Sequence, residues 1–155
     1  MITQRLKIRQ NNLPHWQQGG CVYYITFRSI RERLTESALD RIKDVILHDH
    51  NRKYRLYITV IMPDHVHIIL QPLEMKTGVW FDLAGILKTI KGVSARRINE
   101  VLRTRGTVWQ KESYDRIIRN DEELIEKWNY MLRNPEDEGL IKPSEEYKFI
   151  IIPPN

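Results

Sequence analysis

The chain has 155 residues, with 25 lysines and arginines against 20 aspartates and glutamates and a net charge of +5 at pH 7. This length fits one domain with a core of its own, and the single cysteine, Cys21, excludes an internal disulfide framework. No apolar stretch approaches the roughly 20 residues of a membrane span, so we expect a cytoplasmic protein whose basic balance favours a nucleic-acid partner.

The first third of the chain predicts an arm, a strand and a helix. Residues 1–20 are polar and rich in Gln and Asn, and we interpret them as an N-terminal arm before one domain over residues 21–155. Cys21 to Ser29 is rich in β-branched and aromatic residues, which is typical of a strand. Thr35 is expected to cap a helix, because apolar residues recur at helical spacing from there to about His50.

The middle of the chain predicts a hairpin followed by a long helix. Two apolar runs, Tyr54–Ile61 and His65–Leu70, flank the turn formers Pro63 and Asp64, and this arrangement is typical of two strands joined by a tight turn. Apolar residues at helical spacing then indicate a helix from Asp82 to Arg103.

The last third predicts a further strand and a terminal helix. Val108–Ile118 is expected to be extended, and Asn120 to cap the last helix with Glu123 completing a capping box. Pro135 and Gly139 are expected to end that helix. The order of elements is that of a ferredoxin-like (RRM-like) α+β fold, an antiparallel sheet with helices on one face and the other face free, followed by the C-terminal helix.

His65 and His67 form a His-x-His pair at strand spacing. Alternate side chains of a strand share a face, so both imidazoles point away from the side of Val66, Ile68 and Leu70. If that apolar side packs on helices, the imidazoles project from the open face with their Cα atoms about 6 to 7 Å apart. This spacing suits two ligands of one cation, and plain surface or hydrogen-bonded histidines are the equal alternative.

Tyr130 and Asn134 are four residues apart on the predicted last helix. The apolar stripe of that helix consists of Leu124, Ile125, Trp128, Met131 and Leu132. Tyr130 and Asn134 lie off the stripe and together on one side. A partly exposed tyrosine that covers neighbouring surface is the commoner interpretation. The functional one is that this side crosses the sheet and brings a phenol and an amide oxygen to the two imidazoles.

Several short motifs follow one another in order along most of the chain. They are Leu13-Pro14-His15-Trp16, Tyr24-Ile25-Thr26-Phe27-Arg28, Met62-Pro63-Asp64-His65-Val66-His67, Lys91, Val108-Trp109-Gln110, Ile118-Arg119-Asn120-Asp121-Glu122-Glu123, and Tyr130-x-x-x-Asn134-Pro135 before Gly139-Leu140. Together they resemble the single-tyrosine HUH transposases, named for two histidines flanking a hydrophobic residue. Within that family they resemble the REP-associated branch of the IS200-like transposases.

The resemblance implies a metal-dependent DNA strand transferase. In it, His65, His67 and Asn134 bind a divalent cation, Mg²⁺ or Mn²⁺, and Tyr130 is the nucleophile that forms a covalent 5′-phosphotyrosine without ATP. The implied substrate is single-stranded DNA folded as a REP-like hairpin, and the implied protein is a nucleoid-associated monomer or homodimer. Two residues depart from the pattern. Asn134 stands where related insertion-sequence enzymes carry Gln, and Asp64 stands where the family usually has Asn.

Candidate DNA contacts are basic residues that would follow a phosphate backbone, with one aromatic residue that would stack on a base. They are Trp16, Arg28, Lys88, Lys91, Arg96, Lys127 and Arg133. An ordinary solvated basic face is the alternative for the charged members.

Two other classes of function remain open from the sequence. A non-catalytic single-stranded nucleic-acid binding protein or regulator would use the same sheet, with the histidines as plain surface residues. A metal-dependent hydrolase would use water as the nucleophile and form no covalent adduct. Tyr114 is the rival nucleophile, and the apolar tail at Ile150–Pro154 is expected to pack on a neighbouring molecule or on the protein's own sheet.

Overall fold

The computed structural model describes residues 20–154, and a five-stranded antiparallel sheet in the order β6-β1-β3-β2-β7 organises them. The elements are β1 (Val22–Ser29), α1 (Glu36–His48), β2 (Tyr54–Ile61), β3 (His65–Pro72), β4 (Glu74–Lys76), β5 (Val79–Trp80), α2 (Leu83–Leu102), β6 (Trp109–Ile118), α3 (Asp121–Asp137) and β7 (Ile150–Ile151). The α+β fold predicted from the sequence is confirmed. The predicted arm with Trp16 lies outside the described residues.

The β2–β3 hairpin forms at the predicted turn and is fixed to the rest of the sheet at its tip. Pro63 O accepts a hydrogen bond from Leu34 N at 2.8 Å, and Asp64 O accepts one from Ser29 N at 2.9 Å. These bonds anchor the residues just before the histidines, so β3 starts at a defined position.

Two apolar clusters lie on opposite faces of the sheet. On one face, the helices α1 and α2 pack against alternate β3 residues Val66, Ile68 and Leu70. On the other face, α3 packs its buried Trp128 and Met131 against the sheet. The sheet face opposite α1 and α2 is therefore covered, because α3 crosses it, as the functional interpretation of the last helix predicted. β2 and β3 are apolar on both faces, and a strand of that kind is stable only when both faces are covered.

The α3 helix begins as predicted but ends later than Pro135. Asn120 Oδ1 accepts from Glu123 N at 2.8 Å, while the Glu123 carboxylate reaches Arg119 N and not the cap itself, so only half of the capping box forms. Pro135 lies inside the helix. It removes a single hydrogen bond near the helix end, a loss that the remaining bonds tolerate. Gly139, with φ 74°, provides the predicted termination.

Two smaller expectations are also resolved. Ile125, assigned to the apolar stripe of the last helix, is 40% exposed because it points away from the sheet. The apolar tail packs on the protein's own sheet, where Ile150 and Ile151 pair with Val60 and Thr59 of β2. No helix between residues 20 and 154 is long and apolar enough to cross a membrane.

Candidate active site

His65 and His67 face α3 from β3, and both are buried, at 1% and 3% exposure. Their Nε2 atoms are 3.2 Å apart and their rings meet edge to face. The alternation of β3 thus puts both imidazoles on the same side, as predicted. Burial replaces the open exposure that was expected, because α3 covers this part of the sheet.

Asn134 brings an amide oxygen to the two imidazoles. Its Oδ1 lies 3.0 Å from His65 Nε2, and the residue is 4% exposed. Asn134, which lies off the predicted apolar stripe of the last helix, is therefore buried against the histidines. Three atoms able to bind a cation meet at one point, two from β3 and one from α3.

The outer nitrogen of His67 contacts two hydroxyl groups of β1. Nδ1 lies 2.7 Å from Thr26 Oγ1 and 3.1 Å from Tyr24 Oη, in the register that pairs Thr26 with His67 across the strands. Burial, assisted by the neighbouring His65, lowers the pKa of His67 to about 3. The ring is therefore neutral, which is the form of imidazole that binds metal ions.

Two carboxylates flank His65, and sequence reasoning assigned neither of them to the site. Asp64 Oδ1 lies 2.7 Å from His65 Nδ1, and Glu138 Oε1 lies 4.0 Å from His65 Nε2. Asp64 was interpreted as a turn residue, although its place beside a candidate ligand is a signal in itself. Glu138 is four residues after Asn134, but the sequence predicts that the helix ends at Pro135, before Glu138.

Tyr130 lies beside the imidazoles but remains open to solvent. Its ring centroid is 5.7 Å from that of His67, and 42% of the residue is exposed. Tyr24 stacks on His67 at 5.8 Å, and Tyr114 contacts Tyr24 at 6.2 Å. Tyr130 thus joins the cluster directly, whereas the rival Tyr114 reaches it only through Tyr24.

Three of the candidate DNA contacts belong to the elements that build this site. Arg28 is exposed on β1 and pairs with His65 across the strands. Lys127 on α3 has its Nζ 5.2 Å from the centre of the Tyr24 ring. Arg133 is exposed on α3 beside Asn134.

The other basic residues lie on α2, on the opposite side of the sheet. Lys88 and Lys91 line a cleft of about 700 Å³ between α2 and β6. Lys91 Nζ donates to Gln110 O at 2.8 Å and to Ser113 Oγ at 3.0 Å, and burial lowers its pKa. Arg96 is exposed on the same helix. The structure does not bring these three residues to the histidines.

Comparisons with known proteins identify the family and the fold. A model of the family described as "Transposase IS200 like" matches residues 20–128. The fold is similar to that of a REP-associated tyrosine transposase solved with a REP hairpin, at 18% identity and a TM-score of 0.69, over 86% of this chain and 77% of the other. It is also similar to a candidate transposase from Deinococcus radiodurans R1, at 18% identity and a TM-score of 0.53, over 74% and 90% of the two chains.

The comparison with curated protein sequences gave no match. The two solved structures are too distant in sequence to carry more than the fold. The family match rests on the sequence and spans well over half of the chain, including β1, the His-x-His pair and β6. The chain therefore belongs to the IS200-like transposases, a family of DNA-cleaving enzymes.

Proposed function

We propose that this transposase cleaves and rejoins single-stranded DNA through a covalent bond to Tyr130. The phenol oxygen attacks a backbone phosphorus, the bond from phosphorus to the 3′ oxygen breaks, and that oxygen leaves as a 3′ hydroxyl with a proton. The fragment on the 3′ side of the break stays attached to the tyrosine through its 5′ phosphate, as a phosphodiester. Attack by another 3′ hydroxyl then reverses the step and joins strands without ATP.

The observation that carries this proposal is the meeting of three ligand atoms beside an exposed phenol. Adjacent ligands of an octahedral cation with bonds near 2.1 Å stand about 3 Å apart. The two imidazole nitrogens are 3.2 Å apart and the Asn134 oxygen is 3.0 Å from His65. The residues therefore fit Mg²⁺ or Mn²⁺, and such an ion would neutralise the charge that builds on the phosphate oxygens.

The contacts of the outer imidazole nitrogens support the same role. The Asp64 carboxylate lies where it accepts a hydrogen bond from His65 Nδ1. The hydroxyl oxygens of Thr26 and Tyr24 lie where they share a hydrogen bond from His67 Nδ1. A proton on Nδ1 leaves the lone pair of Nε2 for the cation, and partners of this kind orient the ring. Contacts of this kind would hold the ligand atoms in the protonation state that binding requires.

Substrate and assembly follow from the surroundings of the site. Arg28 lies across the strands from His65, and Lys127 Nζ lies 5.2 Å from the centre of the Tyr24 ring; their positive charge beside the site favours a polyanion. The similar transposase solved with a REP hairpin supports hairpin DNA as the substrate.

Because α3 packs on its own sheet, Tyr130 and the histidines of one chain suffice, and we propose a monomer that acts in cis. Residues 21–155 would form the catalytic domain, with residues 1–20 as a DNA-contacting arm.

A denaturing gel tests the proposal directly. Purified protein is incubated with Mn²⁺ and labelled single-stranded DNA from the flanks of its own gene, beside Tyr130→Phe and the control Tyr114→Phe. We expect a covalent adduct that EDTA abolishes, that Tyr130→Phe lacks and that Tyr114→Phe retains. Cleavage without an adduct would indicate a hydrolase that uses water, and binding without cleavage would indicate a regulator. Either result would overturn the proposed mechanism.

A further inference from the structure

Glu138 is a carboxylate at the mouth of the proposed cation site, beyond the segment that the family model matches. Its Oε1 lies 4.0 Å from His65 Nε2, and the ligand atoms of Asp64, His65 and Glu138 all lie within 4.8 Å of one another. We propose that Glu138 is a fourth protein ligand of the cation, beside His65, His67 and Asn134. This assignment rests on the proposed cation site and deepens it.

The distances separate the roles of the two carboxylates. Opposite ligands of an octahedral cation stand about 4.2 Å apart and adjacent ones about 3 Å, so the 4.0 Å between Glu138 and His65 Nε2 lies within the span of one ion. Asp64 instead contacts Nδ1, the nitrogen on the far side of the same ring, at 2.7 Å. Asp64 therefore orients His65, while Glu138 lies within reach of an ion bound at Nε2.

The end of α3 fixes Glu138 one helical turn beyond Asn134. Glu138 N donates to Asn134 O at 3.0 Å, which keeps both side chains on the same side of the helix. Gly139, with φ 74°, then closes the helix, and Leu140 N donates to Pro135 O at 2.9 Å. The continuation of the helix past Pro135 is thus what brings a second side chain of α3 to the histidines.

Charge at this helix end also favours a cation. Glu136, Asp137 and Glu138 are consecutive, and the last turn of α3 has no basic residue. Carboxylates are unfavourable there, because the unpaired carbonyl groups of a helix C-terminus carry partial negative charge. A divalent cation bound between Glu138 and the histidines would offset both the carboxylates and the helix end.

A carboxylate in the ligand set changes what the site binds. Two imidazoles and an amide are neutral, whereas the addition of Glu138 gives the set a charge of −1. Ligand charge is a main determinant of affinity for hard cations, and oxygen ligands favour Mg²⁺ and Mn²⁺. Four protein ligands leave two positions of an octahedral ion for phosphate oxygen and water, which is enough for the proposed strand transfer.

A binding titration tests the proposal without an activity assay. The full-length, metal-free protein is titrated with Mn²⁺, and the free ion is measured by electron paramagnetic resonance. Glu138→Gln keeps the size of the side chain and removes its charge. Asp137→Asn makes the same charge change at the neighbouring exposed residue, and His67→Ala removes a proposed histidine ligand. We expect Glu138→Gln to weaken Mn²⁺ binding at least about tenfold, and Asp137→Asn to change it less than about twofold.

The controls separate failure of this proposal from failure of the cation site. Equal affinities of Glu138→Gln and the unchanged protein, with binding lost in His67→Ala, would overturn the role of Glu138 alone. Equal weakening by Glu138→Gln and Asp137→Asn would do the same, because general charge would then explain both. Binding that His67→Ala leaves intact would overturn the cation site itself. Circular dichroism of each variant checks that the fold is retained.

Discussion

The hydroxyl groups of Thr26 and Tyr24, which contact His67 Nδ1, allow a sharp test of how the site is built. Thr26→Val and Tyr24→Phe each remove one hydroxyl while the shape of the side chain is nearly kept. His67 is 3% exposed, and its Nδ1 has Thr26 Oγ1 at 2.7 Å and Tyr24 Oη at 3.1 Å. Either single change leaves Nδ1 with one partner, so we expect a loss of about 1 kcal/mol in the free energy of unfolding.

The double variant removes both partners from the same buried nitrogen. An unsatisfied buried polar group costs about 1 to 3 kcal/mol, so the double loss should exceed the sum of the single losses by about 1 kcal/mol. A total near 3 kcal/mol lowers the Tm by roughly 6 to 12 °C in a protein of this size. The Mn²⁺ affinity should fall about 10 to 100-fold in the double variant, because the ring is no longer oriented.

Urea denaturation of the four proteins without metal gives the unfolding free energies, and Mn²⁺ titration gives the affinities. Additivity of the two single changes to within about 0.5 kcal/mol would refute the reasoning, because it would show that the hydroxyls do not share one nitrogen. A large loss for Thr26→Val alone would equally contradict it, since Tyr24 would then not act as a second partner.

Three further changes give expected outcomes at single positions. Gly139→Ala forces an alanine to adopt φ 74° with nothing within 4 Å of the new Cβ, so it should cost about 1 to 2 kcal/mol in urea denaturation. Gly92 lies inside α2 and is equally open, so Gly92→Ala should instead raise the free energy of unfolding by about 0.5 to 1 kcal/mol. If both changes to alanine shifted the free energy of unfolding in the same direction, the role of the positive φ at Gly139 would be contradicted. Ser94→Ala leaves Trp109 Nε1, now 3.0 Å from Ser94 Oγ, without that acceptor. It should lower the Tm by roughly 2 to 12 °C, and an unchanged melting curve would rule out this hydrogen bond as a stabilising one. Asp64→Ala should weaken Mn²⁺ binding about tenfold. Asp64→Asn should weaken it less, because the amide oxygen can still accept a hydrogen bond from His65 Nδ1. Equal losses of Mn²⁺ affinity in the two variants would argue against this hydrogen bond.

Local patterns in the sequence were enough to predict four strands of the sheet, the three helices and the fold class, but not the short strands β4, β5 and β7. The β2–β3 hairpin lies where Pro63 and Asp64 predict a turn, and the helix caps at Thr35 and Asn120 form as expected. These features depend on neighbours within a few residues, such as a side-chain oxygen on the first helical turn. The shared direction of His65 and His67 is of the same kind, because it follows from strand alternation alone.

His65, His67, Tyr130 and Asn134 could therefore be predicted from the sequence, but the residues that surround them could not. The contacts of Tyr24 and Thr26 with His67 depend on the register of β1 against β3. These residues lie 43 and 41 positions from His67 along the chain. That α2 carries Lys91 to the far side of the sheet depends on which face each helix covers. Spacing along the chain does not contain this information.

The sequence by itself determined the three helices, the four long strands, the α+β class and the family to which the chain belongs, because each is encoded in local pattern and ordered motifs. Only the tertiary structure decided between the two interpretations of the last helix, because α3 packs across the sheet, and only it showed that the helix continues through Pro135 to Asp137. Both outcomes arise from packing between distant segments, which offsets the hydrogen bond that the proline removes. By the same packing, two buried imidazoles and an amide come together, and Glu138 Oε1 lies 4.0 Å from His65 Nε2.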